Sequence, residues 1–152
     1  MANLTEADIK LFVDSVKRYM TVTTKEDPLI TSAYLGSDSI EAHEFNGVVT
    51  FSGAFNGHVM VSMPPQLLRE LLLMQHETNL SEANLLDAVG EIANTLAGNA
   101  RKQLGPELDI SVPITIHGNQ GMRARVRQRP YVIPFRWNHQ PALVCVDMER
   151  TD

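Results

Sequence analysis

Residues 81–104, read SEANLLDAVGEIANTLAGNARKQL, restrict the fold more than any other stretch of the chain. Placed at about 100° per residue, Leu85, Leu86, Val89, Ile92, Ala93, Leu96, Ala100 and Leu104 fall within an arc of roughly 120°. That is the width of a core-facing helical stripe. Ser81 is an N-cap candidate, and Gly105-Pro106 closes the segment with a residue tolerant of the C-cap conformation and a helix breaker. A helix of this length needs a broad apolar surface to lie on.

The rest of the chain supplies that surface as strands. Thr5 and Asp8 form a capping box for a helix over residues 5–20, where Ile9, Phe12, Val13, Val16 and Met20 recur at helical spacing. Residues 21–28 are polar, end in proline and read as a loop. Over residues 29–63 the period changes: Val49, Phe51, Val59 and Val61 alternate with smaller or polar residues, and Asn46-Gly47 and Asn56-Gly57 carry turn signals. Two or three antiparallel strands are expected there. Pro64-Pro65 opens a second helix, with Leu67, Leu68, Leu71 and Leu72 on one face and an end near Gln75. Strand patterns return at 109–117, 122–135 and 141–148. The order helix, strands, two helices, strands predicts an α+β fold, an antiparallel β-sheet covered by helices, and excludes repeating βαβ units. With 152 residues, short linkers and no internal repeat, the expectation is a single domain spanning residues 1–152.

Composition then narrows the function. A single cysteine, Cys145, excludes an internal disulfide and a cysteine-rich zinc site. The five histidines include no pair at the spacing that sets two ligands on one helix face, so no metal of the chain's own is expected. A net charge of −5 argues against nucleic acid as the main partner. The first residues lack a basic region followed by an apolar run, and no stretch reaches the ~18 apolar residues of a membrane helix. A cytoplasmic protein without a membrane partner is expected.

The second face of the 81–104 helix carries the chemistry. Asp87, Glu91, Asn94 and Gly98 lie within roughly 60° of one another, with Gly90 just beside them. Two glycines in a helix interior cost about 1 kcal/mol each relative to alanine. Gly90, Asn94 and Gly98 follow at four-residue steps, so the neighbours of Asn94 along its ridge lack side chains and a short amide could enter a crevice on another surface. Glu91 stands beside it, three residues before. Acidic and amide residues also make ordinary solvated faces, and glycines also serve packing; the pattern alone leaves both readings open.

Asp87-Ala-Val-Gly-Glu91-Ile-Ala-Asn94, followed by Thr95-Leu-Ala-Gly98-Asn99-Ala, resembles the signature helix of the CheC/CheX/FliY chemotaxis phosphatases, closest to the single-motif CheX type. That signature is Asp or Ser, three residues, Glu, two residues, Asn, and a proline about twenty positions later. Pro113 is the proline candidate, a few residues early, which implies a shorter turn after the helix. The opening helix, the Gly47-Val-Val-Thr-Phe-Ser-Gly53 strand and Gly57-His-Val-Met-Val-Ser62 follow the family's order, and the first half shows no second copy of the motif.

The resemblance implies a phosphatase that hastens hydrolysis of the aspartyl phosphate on a CheY-type response regulator. Asn94 would position the attacking water and Glu91 would pair with the receiver's lysine; both are the catalytic candidates. Asp87, Gly90 and Gly98 would meet the partner. Mg²⁺ is expected in the response regulator, and a homodimer is implied. A module of the same fold that docks receivers without turning them over is the alternative.

Other features are read more plainly. Arg123, Arg125, Arg127 and Arg129 alternate on one expected strand face and read as an exposed face that discourages edge pairing; the competing reading is a basic patch for RNA or for an acidic partner, which part of it could steer. Cys145 reads as a buried small hydrophobe, Met60, Met63 and Met74 as core filler, and Trp137 with His139 as loop residues.

Overall fold

The computed structural model describes residues 5–35, 42–118 and 130–151. Helix α1 (Glu6–Thr24) opens on the expected box: Asp8 N–H donates to Thr5 Oγ1 at 3.2 Å, and Thr5 N–H donates to Asp8 Oδ2 at 3.0 Å. It runs a turn beyond the predicted end. Threonines are modest helix formers, but Thr24 is buried and its hydroxyl donates to Met20 O at 2.6 Å, while Lys25 ends the helix in the left-handed region. Tertiary packing outweighs propensity here. Helices α2 (Pro65–Met74) and α3 (Glu82–Leu104) start and stop where the sequence predicts, the latter with Ser81 Oγ accepting from Asn84 N–H at 3.3 Å.

The strands are β1 (Tyr34–Leu35), β2 (Phe45–Gly53), β3 (Phe55–Met63), β4 (Leu108–Ile110), β5 (Ile114–His117), β6 (Tyr131–Trp137) and β7 (Gln140–Arg150). They form one antiparallel sheet in the order β1-β6-β7-β3-β2-β4, with β5 also on β2, so that β4 and β5 share the free side of β2. The α+β class and the antiparallel sheet under helices are as the sequence predicts. Among the described residues, no helix is long and apolar enough to cross a membrane.

Several local expectations are corrected. The predicted strand over 109–117 is broken at residues 111–113. Proline cannot donate to a ladder, and Ser111 satisfies Thr50 on both sides, accepting from its N–H through Oγ at 2.9 Å and donating its own N–H to Thr50 O at 3.0 Å. Neither Asn46-Gly47 nor Asn56-Gly57 is a turn: both lie inside strands, and the chain reverses at Gly53-Ala54. Trp137 is no loop residue but the buried end of β6, its indole N–H donating to Glu26 Oε2 at 3.1 Å. Asn138 and His139 after it have φ of 51° and 64°, the signature of a two-residue type I′ turn. Met60 and Met63 are buried, but Met74 is exposed in the last turn of α2. The arginines at 123–129 lie outside the described residues.

All three helices cover one sheet face. Their apolar stripes meet Phe45, Val49, Phe51, Val59, Val61, Val144 and Val146, with Phe12 set edge-on to Phe51 at 6.5 Å. On the opposite face Val48, Met60, Cys145 and Val132 run in register across β2, β3, β7 and β6. Cys145 is buried as expected, and burial pushes its thiol up to about 12.

Candidate functional site

α3 is held from below by Leu85, Val89, Ile92, Ala93, Leu96 and Ala100, all buried. This anchoring turns the opposite stripe outward. Asp87, Glu91 and Asn94 are all exposed, one turn apart in succession. The carboxylate of Glu91 and the amide of Asn94 thus stand side by side on the outer curve of a rigid element. An amide donates and accepts hydrogen bonds, whereas a carboxylate accepts only. Such a pair can orient a water and engage a cation.

Two elements flank this ridge. On one side α1 packs against α3, and Tyr19 lies half-buried there among Ile92 and Leu96. Burial pushes its phenol up; side-chain hydrogen bonds to Thr23 and Gln75 oppose that, and the negative charge of Glu91 adds to it. Tyr19 lies just off the Val16–Met20 apolar spacing, so nothing in the sequence set it beside Glu91.

On the other side β5 closes in, and this revises the role of Gly90. Gly90 is buried, and a Cβ on it would lie 2.9 Å from Thr115 Cγ2 and 3.5 Å from Pro113 Cβ. A Cβ on Gly47 would come within 2.5 Å of Val89 O. Gly47 and Thr115 are partners in the β2–β5 register. The bare turn at Gly90 therefore lets α3 settle directly onto the β2–β5 pair. It is not a surface open to another protein, contrary to the expectation from its position beside Asn94. Pro113 is brought against the motif helix, beside the residue that precedes Glu91.

Polar contacts pin β5 in place. His117 Nε2 meets Glu44 Oε2 at 2.8 Å, its Nδ1 meets Glu82 Oε1 in the first turn of α3, and its ring stacks on Phe45 with centroids 4.7 Å apart. Sequence spacing gave no hint of this tie, which joins His117 to Glu44, Phe45 and Glu82 from two distant stretches of the chain. Gly98 behaves differently from Gly90: a Cβ there would meet nothing within 4 Å. Within the helix, Thr95 Oγ1 donates to Glu91 O at 2.9 Å.

The family model described as Chemotaxis phosphatase CheX matches residues 45–136, a span that includes the whole of α3 and Pro113. No curated protein matches the chain. Among solved structures, a CheC-like superfamily protein from Shewanella sp. PV-4 is similar with a TM-score of 0.84 and 22% identity, over 96% of this chain and 99% of that one. The chemotaxis protein CheX from Vibrio vulnificus gives 0.81 and 21%, over 94% and 99%. A CheX–CheY–BeF3–Mg²⁺ complex from Borrelia burgdorferi gives 0.76 and 18%, over 93% and 97%. At these identities the structural likeness establishes the fold.

Proposed function

The chain belongs to the CheX family of chemotaxis phosphatases, and on that footing we propose that it accelerates hydrolysis of the aspartyl phosphate on a CheY-type response regulator. The observation that carries this reading is the joint exposure of Glu91 and Asn94 on the outer face of a helix locked down on its other side. The Borrelia burgdorferi relative crystallised with CheY supports the kind of partner.

The chemistry asks little of the helper. An acyl phosphate is already labile, and phosphoryl transfer is helped mainly by positioning the attacking oxygen in line with phosphorus. Asn94 enters the receiver's pocket and holds a water by accepting from it and donating to it. That water attacks phosphorus, the bond from phosphorus to the aspartyl oxygen breaks, and inorganic phosphate and the free carboxylate result. Glu91 pairs with the receiver's lysine and fixes the register of the two surfaces. Asp87 and Gly98 lie on the same stripe and belong to the docking face. Mg²⁺ sits in the receiver and neutralises phosphoryl charge, so omitting it stops turnover. The same reading carries a cytoplasmic location, one domain over residues 1–152 and a homodimer, whose mass light scattering would report.

The test is phosphate release from phosphorylated receiver domains. Asn94→Ala should lower the rate about 100-fold or more, roughly 2.7 kcal/mol of barrier. Full activity in a Glu91→Ala, Asn94→Ala double variant rejects the proposal. A receiver that binds yet decays at its intrinsic rate identifies docking without turnover.

A further inference from the structure

Of the two glycines that interrupt α3, the chain's own packing accounts for Gly90 and leaves Gly98 without a reason. The bare spot at Gly98 opens onto a cleft of about 530 Å³ lined by Gly98, Arg101, Lys102, Gly105, Pro106 and Ile110. Two of these residues have no side chain, two are apolar and two are cations. Arg101 continues the stripe of Asp87, Glu91, Asn94 and Gly98: it follows Asn94 by two turns, about 10 Å along the axis. It is exposed and joins no ion pair among the described residues. Lys102 also borders the separate groove between α1 and α3, so Arg101 is the cation aligned with the motif. The ridge is thus polarised, with carboxylates at one end, an amide in the middle, and a gap and a guanidinium at the other.

The partner's chemistry matches this layout. A pocket that holds Mg²⁺ beside a phosphoryl group must be built from hard oxygen ligands, carboxylates above all, so its surroundings are acidic. Arginine suits the recognition of a carboxylate because its planar donors engage both oxygens. We infer that Arg101 and the Gly98 gap form a specificity-determining contact: Arg101 engages a carboxylate on the rim of the receiver's acidic pocket, and an apolar side chain of the receiver enters the cleft against Pro106 and Ile110. The inference rests on the phosphatase reading above and adds which receivers are accepted.

The experiment measures phosphate release against receiver concentration for the full chain, Arg101→Glu, Gly98→Leu, Asn94→Ala and Arg136→Glu, the last an exposed charge on β6 serving as control. Arg101→Glu should raise KM about tenfold or more with kcat near wild type, and should flatten the salt dependence of kcat/KM. Gly98→Leu should raise KM likewise without lowering Tm, since a Cβ there meets nothing within 4 Å and leucine is a better helix former than glycine. Arg136→Glu should stay within about twofold of wild type, as remote surface charges do. Arg101→Glu at the wild-type KM, in a protein whose turnover Asn94→Ala still lowers about 100-fold or more, overturns the inference and leaves the phosphatase reading standing. Wild-type turnover that is absent for every receiver tried, or indifferent to Asn94→Ala, overturns both.

Discussion

The duties proposed for the neighbours Asn94 and Glu91 are separable, and kinetics can tell them apart. A residue that acts only in the transition state changes kcat and kcat/KM together, whereas one that holds the ground-state complex changes KM. Asn94→Ala should therefore fall in the first class and Glu91→Gln largely in the second, with KM raised about tenfold or more; steady-state phosphate release gives both constants. That these two side chains share one exposed face was legible in the sequence because helical spacing fixes it, whatever lies elsewhere; the roles proposed for them came from the resemblance. Gly90 was not. Its neighbours Thr115 and Pro113 come from β5 and the break just before it, beyond the end of the helix, and no local pattern reports what a distant segment lays across a bare turn.

At the scale of elements, three glycines with one composition have three different consequences. Gly47→Ala drives a Cβ to 2.5 Å from a backbone oxygen of α3, and should cost about 2 kcal/mol or more because backbone must move. Gly90→Ala crowds the Thr115 methyl at 2.9 Å, which can yield slightly; a cost of about 1 kcal/mol is expected. Gly98→Ala meets nothing and should stabilise α3 by about 0.5–1 kcal/mol. Urea midpoints on the three variants check the order. Helix α3 was readable end to end because cap, stripe and terminator agree. The strands were less so: Asn46-Gly47 mimics a turn, and its glycine instead meets α3. The real hairpin turn at Asn138-His139 puts a histidine at positive φ, a place where composition gives a weak cue.

For the molecule as a whole, titratable groups that lose water on folding contribute to the pH dependence of stability. Burial holds the His58 imidazole below its ordinary 6.5, with Asp147 opposing in part. The unfolded chain therefore takes up a proton that the folded one resists, so this contribution is complete above about pH 6.5 and is lost as pH falls below it. Cys145 and Tyr19 act at the other limb. Burial raises both, Cys145 from 9.0 to about 12, so their contribution is complete below about pH 9 and is lost as pH climbs toward 12. Tm measured from pH 5 to 11 should form a plateau that falls on both sides, and His58→Gln should soften the acid fall. The alternation of helices and strands along the chain was visible from periodicity. The sheet order was not, because β7 pairs with β3, and β1 with β6, across long separations in sequence.

Among the described residues, Asn94 and Glu91 stand proud of a cylinder and line none of the clefts described above. A free phosphoester such as p-nitrophenyl phosphate finds no seat there, and its decay should be no faster with the protein than without it, by absorbance. On the phosphatase reading proposed above, the protein brings a key and relies on another molecule for the lock. An inhibitor that mimics phosphate should accordingly fail, and only a cap fitted over the ridge should silence it.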